Sequence, residues 1–403
     1  MANVFRGAIW PAATLRFGGL AAGALLFEWL LFKGAHLLRW GWNDPRTVES
    51  DVVLYFEWVT AIVAGRSPYI DFPVPYPPVA LMVTLLPGVL ARSYSAYLIA
   101  YSLLMFAASA VLFALTESYA RLLHKDVKQT LGWLTAFLVP LSGLILWRFD
   151  IVVAVTTIGA LLLLAGARPG AAGSVAALGA LVKLVPALVL AVPLLRLHRE
   201  ARPALRSVFI FLLTIAIVCT AWFAYAGPSL YTSFRMHSQR GLEFGSLSAG
   251  VLLLLGQFFP QSARVVTTNP CLCVEVDHAW APSLAAAALP LQAIALSLAA
   301  IWIFLQRRRN DARDLSLLFF LYILTGKVLS PQYLIWTAPF VAFLPRLRLP
   351  FLVACILTTA VYPIGFDLLR QQVAWPIVAL NVRNALLIYC VCLIVSPTRT
   401  PAD

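Results

Sequence analysis

Residues 206–226 read RSVFIFLLTIAIVCTAWFAYA, with a single charge at the first position. A stretch of this kind matches the roughly 20 apolar residues that cross the hydrocarbon core of a bilayer. It does not stand alone. Comparable runs lie at about 13–38, 77–91, 94–115, 131–147, 150–167, 171–195, 282–305, 315–328, 332–345, 349–366 and 375–396. SLSAGVLLLLGQFFP (246–260) is a shorter thirteenth run. Of 403 residues, 61% are apolar and only 12% charged, against about 25% charged in soluble domains. The expected fold class is an all-α polytopic membrane protein with eleven to thirteen spans, one domain over 1–403. The first run continues past any small-residue cleavage point and reads as a retained helix, not a signal peptide.

The net charge of +13 is informative through its placement. RLHREARPALR (196–206) and RRRNDAR (307–313) sit in short loops, where excess Lys and Arg mark the cytoplasmic side. No basic stretch is interleaved with aromatic residues, so a nucleic-acid groove is not expected. An inside N-terminus places 39–76, 227–281 and the turn near Lys327 outside. Both basic clusters then fall inside only if 246–260 does not cross fully. On this topology Arg92, Arg148, Arg346 and Arg348 face inward, and 116–130 lies outside. No internal repeat is visible, which counts against a secondary transporter.

Between the first two runs lies RWGWNDPRTVESDVVLYFEWVTAIVAGRSPYIDFPVPYPP (39–78), with five carboxylates, three arginines, eight aromatic rings and six prolines. A plain connection needs only a few residues. Ser50 is a good N-cap and puts Asp51 in the first turn of a helix. Asp51, Tyr55 and Trp58 recur at i, i+4 and i+7, on one helix face. A carboxylate beside aromatic rings suits a sugar: the rings pack on its C–H face and the carboxylate accepts a hydroxyl proton. The plainer reading is a carboxylate that decorates a helix N-terminus. GRSPYIDFPVPYPP (65–78), with Tyr69 and Tyr76, is a proline-braced turn: either a helix breaker or a rigid pocket wall.

Outside this loop, His237, Arg240 and Lys327 are external cations able to meet a phosphate, or to snorkel toward lipid headgroups. Lys183 falls within an apolar run, where a lysine costs roughly 2.5–3.5 kcal/mol on insertion scales. It reads either as functional or as half of a buried pair with Asp150 or Glu28. Cys219, Cys355, Cys390 and Cys392 lie in apolar spans as packing residues. Cys271 and Cys273, in CLCVEVDH (271–278), suggest a metal cluster or a tight disulfide; the structural reading is preferred and no metal ligands are assigned.

Asp51 with Tyr55, then Gly65-x-x-Pro68-Tyr69 and Tyr76-Pro77-Pro78, resembles the first external loop of glycosyltransferase family 87. The resemblance continues through Arg148-Phe149-Asp150, Ala180-Leu-Val-Lys183-Leu-Val-Pro186, His237-x-x-Arg240-Gly241-Leu-Glu243 with Ser246, and Lys327-Val-Leu-Ser330-Pro331-Gln332-Tyr333-Leu334. It covers most of the chain. It implies a C-type glycosyltransferase fold and an inverting mannosyltransferase. The implied donor is a polyprenyl-phosphate sugar, and the acceptor a glycolipid or glycan at the outer face of the plasma membrane. Asp51 takes the place of the acceptor-activating base. Tyr55, Trp58, Tyr69, Tyr76, Lys183, His237, Arg240, Glu243, Lys327 and Gln332 become substrate-binding candidates. No cofactor is required and a divalent metal is optional. The alternatives are transfer of another lipid-linked sugar, arabinofuranose or glucose, and a lipid or sugar transporter with Lys183, Glu28 and Asp150 along its path.

Overall fold

A computed structural model describes residues 12–37, 50–195, 201–259, 262–268, 273–306 and 310–396. The early part of the outer loop (39–49), Cys271, and parts of both basic clusters (196–200 and 307–309) lie outside these, as does the side chain of Glu28. Helices dominate: α1 (Ala12–Leu37), α2 (Ser50–Val63), α3 (Pro78–Leu85), α4 (Tyr94–Leu122), α5 (Val127–Leu138) and α6 (Ser142–Trp147) form the first half. Next come α7 (Asp150–Ala165), α8 (Pro169–Ala180), α9 (Ala191–Leu194), α10 (Ala201–Ala226), α11 (Thr232–Gln239) and α12 (Leu247–Gly256). A hairpin of β1 (Arg264–Thr268) and β2 (Cys273–Asp277) precedes α13 (Ala281–Leu305), α14 (Asp311–Thr325), α15 (Leu334–Val341), α16 (Pro345–Thr359), α17 (Phe366–Arg370) and α18 (Ala374–Val395). The protein is an all-α polytopic membrane protein apart from this hairpin.

Among the described residues, five helical stretches are long and apolar enough to cross a bilayer: Tyr94–Leu122, Ala201–Gln239, Ala281–Leu305, Pro345–Ile364 and Ala374–Val395. The other expected spans are shorter or broken, and proline is the recurrent cause. The run at 131–147 divides around Pro140 into α5 and α6. The run at 77–91 becomes α3 and a 3-10 turn, Leu86–Val89, that starts with Pro87 in its first turn. Its eight-residue helix is only about 12 Å long, too short to cross.

This shortfall changes the topology. Tyr94 and Tyr97 pack on Phe56 of α2, with ring centroids 5.8 and 5.4 Å apart, so the start of α4 and the preceding Arg92 share the end of the bundle that carries Asp51. The 29 residues of α4 then span about 43 Å and end where Tyr119 meets Phe343, at 5.2 Å. Segment 116–130 therefore lies with Arg346 and Arg348, whose guanidinium sits 5.8 Å over Trp133 in the case of Arg348. Arg148 lies at the opposite end, beside Asp51. Arg92 and Arg148 were expected opposite Asp51 and 116–130 on its side, so these three are reversed, whereas Arg346 and Arg348 lie opposite Asp51 as expected.

A second departure restores the order. The run at 171–195 is not one span. Helix α8 ends at Ala180, the chain turns beside Asp150 at Lys183, and it goes back as a 3-10 stretch, Val185–Leu190, and α9. From there each segment lies at the end of the bundle expected for it relative to Asp51. Helix α10 starts beside α8, where a Cβ on Gly170 would touch the Arg206 guanidinium. A Cβ on Gly173 would lie 2.2 Å from the Ser207 carbonyl oxygen, so only glycine permits this approach of the two helices. Small residues make such contacts in membranes, where dispersion rather than water expulsion drives packing.

The short run 246–260 does not cross. Its ten-residue helix α12 is about 15 Å long. It lies antiparallel to the first half of α18, with Asn381 Nδ2 donating to the Gly250 carbonyl and Gln257 Nε2 to that of Gln372.

Candidate functional site

A cavity of about 400 Å³ opens where α2, the 65–77 loop, the α6–α7 junction, segment 236–244, the hairpin and the 330–332 turn converge. Asp51 stands in the first turn of α2, where the helix N-terminus favours an anion, and lines the cavity. Its Oδ2 is 3.0 Å from Arg148 Nη1, with the two side chains 27% and 9% exposed. Arg148 occupies the single extended turn between α6 and α7 and also donates through Nη2 to Tyr362 Oη at 3.2 Å. The planar guanidinium thus fixes the carboxylate from one side while referring it to a third element.

Asp51, Tyr55 and Trp58 do share a face of α2, but only Asp51 reaches the cavity. The proline-braced loop folds back over the two rings and places Tyr76 in front of them, with centroids 6.4 Å from Tyr55 and 6.1 Å from Trp58. Tyr55 and Trp58 are buried. Tyr69, in the left-handed conformation (φ 67°), is buried too, and its Oη donates to the Tyr76 carbonyl at 2.8 Å. These three residues back the wall; Tyr76 is its surface, resting edge-on against Phe149 at 4.9 Å.

The facing wall is built on the exit from α11. His237 lies with Nε2 2.7 Å from the Pro75 carbonyl, tying this wall to the proline loop. Arg240 lines the cavity, and its Nε is buried without a hydrogen-bond partner among the described residues. Glu243 accepts from the Gly245 and Leu329 amides through Oε2, each at 3.1 Å, and burial pushes its carboxyl above the ordinary range. Gln332, with Ser330, completes the floor.

Two expected ligands stand elsewhere. Lys327 does not line the cavity: its Nζ donates to the carbonyls of Ser238 at 3.0 Å and Arg240 at 2.6 Å. Lys183 pairs with Asp150 at 2.7 Å, and the same carboxylate oxygen accepts from Trp336 Nε1 at 2.8 Å. The ammonium lies 5.1–5.4 Å from the ring centres of Phe149, Tyr333 and Trp336. The alternative of a buried pair is the one realised, with Asp150 as partner.

Arg148, Tyr362, Arg370 and Thr267 line the cavity without having been assigned a site role from sequence. Arg148 was visible in the Arg148-Phe149-Asp150 motif, but the misplaced span at 77–91 put it on the wrong side. Nothing in the local sequence marks Tyr362, Arg370 or Thr267. Cys273 is disulfide-bonded, so its sulfur is not a free thiolate for a metal. Cys219, Cys355, Cys390 and Cys392 are free thiols. Among the described residues no group of three His, Cys, Asp or Glu side chains is placed to hold a metal ion.

No curated protein and no solved structure matches the chain. The family model for glycosyltransferase family 87 matches residues 74–331. The matched segment holds Arg148, His237, Arg240, Glu243 and Ser330 of the cavity but begins after Asp51, whose place beside Arg148 comes from the geometry alone. The match spans more than half of the sequence, and the chain belongs to glycosyltransferase family 87, a family of membrane glycosyltransferases.

Proposed function

We propose that the protein transfers a sugar, with mannose as the first candidate, from a polyprenyl-phosphate donor to a hydroxyl of a glycolipid or glycan acceptor, with inversion, on the extracytoplasmic face of the plasma membrane. The observation that carries this reading is one cavity with the Asp51–Arg148 pair on one wall and the unpartnered Arg240 Nε on the other. Asp51 accepts the proton of the acceptor hydroxyl as its oxygen bonds to the anomeric carbon. The carbon–oxygen bond to phosphate breaks, its electron pair leaves on the phosphate, and a β-linked donor gives an α-linked product. Arg240 takes up the phosphate charge, and Tyr76 offers a ring to the sugar. The leaving phosphate is weakly basic, so one carboxylate suffices where glycosidases use two. The chain's own cations can meet the phosphate charge, so a metal is optional.

The sidedness rests on charge and on redox chemistry. Arg121, Lys125, Lys128, Arg202, Arg206 and Arg346 collect at the end of the bundle opposite the cavity, as cytoplasmic loops do. The disulfide at Cys273, on the cavity wall, suits an oxidising compartment. The test is Asp51→Asn in membranes supplied with polyprenyl-phosphate-mannose. Transfer is expected to fall by about 10²–10⁴, the range of a lost general base; an unchanged rate removes Asp51 from the chemistry. Mass spectrometry of envelope glycolipids from a deletion strain identifies the sugar and the acceptor.

A further inference from the structure

We propose that Lys327 and Glu275 are positioning residues which together clamp the peptide group joining Arg240 to Gly241 and so aim Arg240 into the cavity. The inference rests on the reading that Arg240 meets the donor phosphate. The carbonyl and the amide of one peptide unit point in opposite directions, and here each has its own charged partner. The Arg240 carbonyl accepts from Lys327 Nζ at 2.6 Å, and the Gly241 amide donates to Glu275 Oε1 at 2.7 Å. A cation on the oxygen and an anion on the N–H both run with the peptide dipole, and both hydrogen bonds are charge-assisted.

The surroundings make the clamp rigid. Helix α11 stops at Gln239 and Arg240 turns the chain to extended backbone, φ −59° and ψ 136°. Lys327 also holds the Ser238 carbonyl, at 3.0 Å, while its own carbonyl accepts from the Glu243 amide at the same distance. Segment 241–245 then runs beside β2 through Phe244 N to the Val274 carbonyl and Val276 N to the Leu242 carbonyl. A Cβ on Gly241 would lie 2.6 Å from Glu275 Oε2, so a side chain there would push the carboxylate from the peptide it holds. Glu275 is 8% exposed, so its carboxylate acts on this peptide and not on solvent. Lys327 spends two of its three protons on backbone carbonyls and does not line the cavity.

The test is a double-mutant cycle on the purified full-length protein, with polyprenyl-phosphate-mannose varied and acceptor saturating. Lys327→Met is expected to raise the donor KM about tenfold or more, the scale of one charged hydrogen bond, with the acceptor KM unchanged. In an Arg240→Ala background the same change is expected to matter by no more than about twofold, the limit of ordinary non-additivity. Glu275→Gln, which keeps the shape and removes the charge, gives a second cycle if Lys327→Met does not fold. A full-sized effect of Lys327→Met on top of Arg240→Ala makes Lys327 an independent ligand and overturns the clamp alone. An unchanged donor KM in Arg240→Ala itself overturns the donor assignment.

Discussion

Asp51 meets Arg148 across 3.0 Å, joining the first turn of one helix to the two-residue link between two others. One guanidinium serves Asp51 and Tyr362 at once. Lysine offers a point charge in place of that fork. Arg148→Lys is expected to lower kcat by about 100-fold, the cost of misplacing a reacting group by about an ångström, with a smaller change in donor KM. A steady-state comparison with wild type checks this, and a kcat within twofold would remove Arg148 from the positioning of Asp51.

The Lys183–Asp150 pair should report on stability before catalysis. The carboxylate is 1% exposed and the lysine 15%. Removing one partner strands the other, at a cost of about 3–5 kcal/mol. Lys183→Met or Asp150→Asn should each lower the melting temperature in detergent, and the double variant should lose less than the sum. Strict additivity would argue against the pair.

Gly173 tests the contact between α8 and α10. A valine there drives its Cβ into the Ser207 carbonyl. Overpacking of this kind costs about 1–3 kcal/mol or more. Gly173→Val should therefore reduce folded yield, whereas Gly132→Ala, whose Cβ meets only Phe17 at 3.9 Å, should be tolerated.

Lys327 gives a pH signature. Burial, then the neighbouring Arg240, lowers its pKa, and Glu275 opposes this. A base with a lowered pKa is charged below that value and loses its charge at a lower pH than an ordinary lysine. The clamp should therefore weaken on the alkaline side. Donor kcat/KM, which reports free-enzyme groups, should fall earlier than a lysine near 10.5 would dictate. Lys327→Arg should move that limb upward. A limb unchanged by Lys327→Arg belongs to another group.

Sidedness can be read directly. A membrane-impermeant maleimide on intact cells should label a cysteine placed at Asp71 or Ser93 and spare one at Lys125. Labelling at Lys125 with protection at Asp71 would invert the proposed orientation.

The membrane class, the half-depth run at 246–260 and the end of the bundle that carries 227–281 were legible, because apolar length and basic clusters are local signals. Two errors in span assignment cancelled. The run at 77–91 looks like a span by composition, but Pro87 shortens it; the run at 171–195 looks like one span, but its turn at Lys183 is stabilised by Asp150, 33 positions away. Helical periodicity placed Asp51, Tyr55 and Trp58 on one face correctly. It could not show that Tyr76 would cover two of them, since that depends on how a loop folds back. Nor could it distinguish a lysine that meets a ligand from one that grips backbone, as Lys327 does, because both need the same residue type in the same kind of place.

Helix α12 starts where Asn384 meets the Ser246 carbonyl, ten residues along α18, or about 15 Å from that helix's first residue. Glu243 and Phe244, just before Ser246, line the cavity, so its floor lies level with the middle of α18 and not with its end. If the donor is a prenyl-linked sugar, as proposed, its sugar need not be lifted clear of the helix bundle to meet Asp51.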